Sequence, residues 1–146
     1  MTKLYNLQVT EEQLKVISTS CELLSRIQSG QIREAFDYLP LKKDTDWSIY
    51  HEIQDELTKR MPEILQDGID GWSSSFGVGN PKLPDSHDIA YDLYKTITHK
   101  LSWEHAVEEG IIENENSPRK FPEMMYIRYD RPFNYGKQPL AKLEKV

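Results

Sequence analysis

The sequence predicts an α+β fold: a small antiparallel sheet, made from strands at the N- and C-terminal ends of the chain, packed on about three helices. Three observations predict it. Leu4-Tyr5-Asn6-Leu7-Gln8-Val9 alternates with the period of two that marks a half-buried strand. Three longer stretches carry apolar residues at spacings of three and four, between recognisable helix start and stop signals. Met124-Met125-Tyr126-Ile127-Arg128-Tyr129 reads as a further strand, followed by a turn at Pro132-Phe133-Asn134-Tyr135-Gly136. With 146 residues and no internal repeat, residues 1–146 fit one domain.

Thr10-Glu11-Glu12-Gln13 is a capping box, in which Thr10 accepts from the Gln13 N–H and Gln13 reaches back. It opens a helix from Glu11 to about Gln28, with Leu14, Ile17, Cys21, Leu24 and Ile27 as its apolar stripe and Ser29-Gly30 as its stop. A shorter helical piece, Gln31 to Tyr38, ends before Pro40. Asp44-Thr45-Asp46 supplies caps for a second long helix, striped by Trp47, Tyr50, Ile53 and Leu57 and divided at Pro62. Gly68 to Pro84 is a loop rich in Gly, Ser and Pro, longer than most connections in compact domains. The third helix starts near Asp85 or Ser86, repeats Ile89, Leu93, Ile97 and Leu101 at intervals of four, and stops at Gly110. Gln138 to Leu143 is expected to extend along the sheet edge. The terminal strands must pair, either with each other or across subunits.

No apolar run approaches the roughly 18 residues of a spanning helix, and Met1-Thr2-Lys3-Leu4-Tyr5 lacks a signal-peptide core. The single cysteine, Cys21, excludes an intrachain disulfide, suits a reducing cytosol, and reads as a small buried hydrophobe on its helix. The net charge of −6 is uneven: residues 1–116 hold 11 basic and 21 acidic side chains, whereas 117–146 hold 7 and 3. That balance makes duplex nucleic acid a poor partner. The basic end could meet the acidic part of its own fold, a neighbouring subunit or a phosphorylated ligand. Glu104, Glu108, Glu109, Glu113 and Glu115 crowd the end of the third helix, where negative charge is disfavoured.

His51, His87, His99 and His105 do not fall at metal-ligand spacings, so no metal is expected. There is no GxSxG and no supportable Cys–His pair. Asp85, Asp88 and Asp92 could be paired acids or magnesium ligands, but acids at a helix N-terminus are explained more simply by the macrodipole. The segment Phe76-Gly77-Val78-Gly79-Asn80 is more suggestive. Two glycines allow backbone N–H groups to converge on an anion, Phe76 offers a stacking face, and Asn80 has paired donor and acceptor. Arg26, late in the first helix, could hold a phosphate bidentately or bond the last carbonyls of its own helix. Arg128 and Arg131, flanking the C-terminal turn, are the other phosphate candidates.

Three stretches together resemble a widespread group of small proteins of tailed bacteriophages. They are Leu4 to Gln31 with its Ser-Arg-Ile-x-x-Gly-Gln end; Pro84-Asp85-Ser86 leading to Ala90-Tyr91-Asp92-Leu93-Tyr94 and Ile97-Thr98-His99; and Arg131-Pro132-Phe133 through Gly136-Lys137-Gln138-Pro139-Leu140. The layout is also similar to that of the phage Thoeris anti-defence proteins that sequester a cyclic ADP-ribose signal. This resemblance implies an α+β protomer that oligomerises, with ligand pockets at subunit interfaces. It also implies site positions for an arginine late in the first helix, an aromatic residue and an asparagine in the middle loop, and a later arginine. Arg26, Phe76 and Asn80 stand at the first three. Where the compared relatives carry an arginine in the third helix this chain has Thr98, and His99, Lys100 or Lys95 could substitute.

The resulting expectation is a phage-encoded homo-oligomer in the host cytoplasm that binds and sequesters a cyclic nucleotide or ADP-ribose-type immune signal without cleaving it. Its ligand residues would be Arg26, Phe76, Asn80, His99, Arg128 and Arg131, with no cofactor and no membrane partner. The alternatives are an acidic protein-binding inhibitor of a host defence protein and a small nucleotide hydrolase.

Overall fold

A computed structural model describes residues 2–69, 77–111 and 132–146. Helix α1 spans Glu11–Gln28, α2 Trp47–Arg60 and α3 Asp85–Glu108, with 3-10 segments at Ile32–Tyr38 and Met61–Glu63. The start and stop chemistry read from the sequence is present. Thr10 N–H donates to Gln13 Oε1 at 2.9 Å, and Gln13 N–H donates to Thr10 Oγ1 at 3.2 Å. Beyond Ser29, Gly30 takes φ +86°, and the N–H groups of Gln31 and Gly30 return to the carbonyls of Arg26 and Ile27 at 2.8 and 2.9 Å. This pair of bonds is the Schellman closure, and only glycine adopts the required left-handed backbone without steric cost. The same closure ends α3 at Gly110, where the N–H of Ile111 reaches Ala106 O at 2.9 Å and its side chain packs on the Trp103–Ala106 cluster. Asp46 caps α2 by accepting from Ser48 and Ile49 N–H, and Pro62 sits in the 3-10 segment that ends it.

The predicted sheet is a correction. Among the described residues there is no strand and the architecture is helical. Leu4–Val9 forms no element of secondary structure: Leu4 and Tyr5 are 82% and 87% exposed, and no backbone ladder joins the segment to another described one. Alternation gives a segment two faces; it does not supply the neighbouring backbone that makes a strand. Residues 138–143 likewise form no strand, and the expected strand at 124–129 lies outside the described residues.

The central contact is α1 against α3. The first helix approaches through small side chains, with Ser18 and Ser25 buried. The third contributes Ala90, Ile97, Trp103 and Ala106. The buried line of α1 is therefore turned away from the predicted stripe, whose last members Leu24 and Ile27 are exposed. The C-terminal segment fastens to α3 through Asp92, whose carboxylate accepts from Tyr135 N–H at 3.2 Å and Gly136 N–H at 2.7 Å. Gln28 and Ser86 join the end of α1 to the start of α3 at 2.8 Å. Residues 84–99 thus contact both the end of α1 and the C-terminal segment at 135–136.

Among the described elements α2 packs on the two 3-10 segments and on neither α1 nor α3. It buries Gln54 and Thr58, whereas Trp47, Ile49, Ile53 and Leu57 are exposed. Phe36 against Tyr50, edge to face at 5.7 Å, and Arg33 to Asp55 at 3.0 Å hold its inner side.

Candidate functional site

The α1 terminus, the glycine loop and the first turns of α3 enclose a cavity of about 220 Å3. Its walls include Arg26, Gly77, His87, Tyr91, Tyr94 and Lys95. Tyr91, Tyr94 and Lys95 are one turn apart on α3, so the helix itself gathers them. The Schellman closure of α1 turns the chain at Gln31 and keeps Arg26 beside it: Arg26 Nη1 donates to Gln31 Oε1 at 3.1 Å, and Nε and Nη2 both reach Glu22 Oε1, at 3.0 and 2.9 Å. Glu34 lies 3.8 Å away. Burial acts to lower the Arg26 pKa, but Glu22 and Glu34 outweigh it and the net shift is upward, so the guanidinium stays charged. Lys95, by contrast, makes no ion pair or hydrogen bond among the described residues.

The loop is held down on α3 by a short relay. His87 is 2% exposed, with Nδ1 at 2.8 Å from Asp88 Oδ1, and the same carboxylate oxygen accepts from Gly79 N–H at 3.2 Å. Gly77 lies directly against the imidazole, where an added Cβ would sit 2.7 Å from Nε2. This is the close approach that glycine permits at that position.

Among the described residues, Arg26 lines this cavity, as do Lys95, named from the sequence as a substitute for the missing third-helix arginine, and Gly77 of the glycine segment. Asn80 Oδ1 accepts from Lys82 N–H at 3.0 Å and closes a turn, away from the cavity walls. His99 is not a wall residue either; its ring lies 6.2 Å from that of Trp103. Phe76, Arg128 and Arg131 lie outside the described residues. Thr98 donates to Tyr94 O at 2.9 Å and lines a neighbouring cavity of about 360 Å3, which shares Glu22 and Tyr94 with the first. Sequence reasoning missed His87, Asp88 and the two tyrosines. The available signal was Tyr91-x-x-Tyr94-Lys95 on one helical face beside the histidine, one turn earlier.

A larger cavity, about 550 Å3, lies where Leu7–Thr10 and Lys142–Val146 approach α1 and α3. Two of its three lysines are paired, Lys100 with Glu104 at 3.2 Å and Lys145 with Glu108 at 2.8 Å, while Lys142 makes no ion pair or hydrogen bond among the described residues. It has no aromatic residue in its wall, so the smaller cavity, with Tyr91 and Tyr94, is the better candidate. The acids at the start of α3 do not converge. Asp85 faces Lys137, Asp88 faces His87, and Asp92 faces the 135–136 backbone. No cluster of three or more metal-ligating side chains occurs among the described residues.

Chemically, the cavity sets two cations, Arg26 and Lys95, and one carboxylate, Glu22, beside two tyrosines on a helical scaffold. No family model matches the sequence, and neither a curated protein nor a solved structure matches it.

Proposed function

We propose that this chain binds a phosphorylated, nucleotide-type small molecule of the ADP-ribose class in the Arg26–Lys95 cavity and holds it without cleaving it. The observation that carries the reading is Lys95, an uncommitted ammonium beside the charged Arg26 in a cavity walled by two tyrosines. Such a cation favours a phosphate, and the tyrosines offer faces for a base. At about 220 Å3 the cavity is smaller than the roughly 300–1,000 Å3 of most small-molecule sites, so it takes part of the ligand. The neighbouring 360 Å3 cavity, sharing Glu22 and Tyr94, offers room for the remainder.

The resemblance to phage anti-defence proteins supplies the biological setting, a sponge for an immune signal in the host cytoplasm. No helix among the described residues is long and apolar enough to cross a membrane. The exposed apolar side of α2 supports a homo-oligomer. It equally supports the second reading, a protein-binding inhibitor, whereas the acids first singled out for that role are partly neutralised by Lys100 and Lys145. The His87–Asp88 couple at the cavity is what favours a hydrolase instead.

Calorimetric titration with ADP-ribose and cyclic ADP-ribose tests the reading. Lys95→Ala breaks no hydrogen bond or ion pair among the described residues, so its melting temperature should stay close to the wild type while affinity falls about tenfold or more. Mass spectrometry of the heat-released ligand should return it intact. Absence of binding, or binding indifferent to Lys95, counts against the site; an altered ligand counts against the sponge.

A further inference from the structure

The hydrogen-bond inventory of the cavity wall is lopsided. His87 Nδ1 faces the Asp88 carboxylate, which accepts only, so the ring proton sits on Nδ1. In the neutral imidazole Nε2 is then a lone-pair acceptor. It has no partner among the described residues, although the residue is 2% exposed and forms part of the cavity wall beside Gly77. The two wall serines spend their protons on α1 itself: Ser25 Oγ donates to Glu22 O at 2.9 Å and Ser29 Oγ donates to Arg26 O at 2.8 Å. Both present only lone pairs to a ligand, as does the Glu22 carboxylate. The cavity therefore combines two cations, Arg26 and Lys95, with a set of acceptors centred on a buried imidazole nitrogen, of which Glu22 Oε1 is already engaged by Arg26.

A bare anion cannot satisfy that wall, because phosphate oxygens bring acceptors to acceptors. We infer that His87 Nε2 receives a hydrogen bond from a ligand hydroxyl, so that the site selects an anion carrying a polyol, a sugar phosphate moiety, over an inorganic anion of equal charge. The inference rests on the anion-site reading above and adds to it the group that discriminates. Asp88 is a positioning residue here: it fixes the tautomer that leaves Nε2 bare, and through Gly79 N–H it ties the loop to the ring.

ADP-ribose and inorganic sulfate are the two probes, both doubly charged near neutral pH, the second an anion without hydroxyl donors. The wild type should bind ADP-ribose at least about tenfold more tightly than sulfate, and His87→Phe should reduce that preference about tenfold by weakening ADP-ribose alone. His87→Gln, which carries a carbonyl acceptor, should restore part of it. In the unaltered protein, the side-chain nitrogen spectrum of His87 should show Nε2 moving upfield with ADP-ribose and not with sulfate, which keeps the test independent of whether the variants fold. Equal loss of both probes in His87→Phe, or an Nε2 resonance unmoved by bound ADP-ribose, overturns this inference while leaving the anion site standing. Failure of the wild type to bind either probe overturns both.

Discussion

Replacing Gly77 by alanine adds one methyl group at the tightest point of the site. The new Cβ would lie 2.7 Å from His87 Nε2, 2.9 Å from its Cε1 and 3.3 Å from Ser29 Cβ. Packed carbon atoms settle at about 3.5–4.0 Å, so ring or loop must yield by roughly 1 Å. The ring is poorly placed to do so, being buried and held by Asp88 at 2.8 Å. Overpacking of this kind costs about 1–3 kcal/mol. In a domain of this size that corresponds to a fall in melting temperature of roughly 3–10 °C. The displaced imidazole also belongs to the cavity wall, so ADP-ribose affinity should fall together with stability. Gly110→Ala is the control. Its φ of +71° disfavours a side chain, but nothing lies within 4 Å of the added Cβ, so it should cost about 1 kcal/mol with no change in affinity. Thermal melts by circular dichroism and calorimetric titration read both quantities. If Gly77→Ala melts within about 1 °C of the wild type and binds equally well, the imidazole does not lie against the loop and the cavity wall is wrong.

Two further substitutions probe the scaffold. Thr10→Ala removes the capping box of α1 and should cost about 1 kcal/mol in chemical denaturation, with ligand affinity unchanged because the cap is distant in sequence from Arg26. Asp92→Asn tests a pH dependence: burial raises the Asp92 pKa above the ordinary 3.8, against the opposing N–H groups of Gly136 and Tyr135 and with a smaller push from Asp88. A raised folded-state value means that protonation favours the folded form, a stabilisation present in acid and lost as the pH climbs through that value. The melting temperature of the wild type relative to Asp92→Asn should therefore rise as the pH is lowered from about 7 towards 4; a fall would reverse the assigned sign.

Signals that depend on a few neighbouring residues were legible in the sequence. The Thr10–Gln13 box, the Gly30 and Gly110 stops and the division at Pro62 all occur where their local chemistry places them, since caps and left-handed turns are satisfied within one or two turns of chain. What failed were inferences needing a distant partner. Alternation at 4–9 was legible, but not the absence of a ladder beside it. An apolar stripe on α1 was legible, but its packed face is turned towards Ser18 and Ser25, because two small residues let α3 approach where Leu24 and Ile27 would hold it off. The site divides the same way. Arg26 stood out as a cation before a helix break. Asp88 read as an acid favoured by its helix N-terminus and His87 as a histidine outside metal-ligand spacing, because their role depends on Gly77 and Gly79 folding back over them.

The outer side of α2 yields the remaining prediction. Ile49, Ile53 and Leu57 recur at intervals of four, the row by which helices interdigitate in their commonest crossing. Ile53 is 55% and Leu57 38% exposed, so in an isolated molecule Ile53→Ser should change stability by no more than about 0.5 kcal/mol. A subunit contact through this row would make the same substitution costly. Burying such a side chain contributes about 1.5–3 kcal/mol, and a two-fold interface contains it twice. The loss of roughly 3–6 kcal/mol raises the dissociation constant by more than about a hundredfold. Light scattering across a concentration series separates the cases. An oligomeric wild type that becomes monomeric in Ile53→Ser, with unchanged ellipticity, places the contact on α2. An oligomer indifferent to the substitution places it elsewhere, and a wild type monomeric throughout removes the homo-oligomer and leaves the apolar row to a different protein.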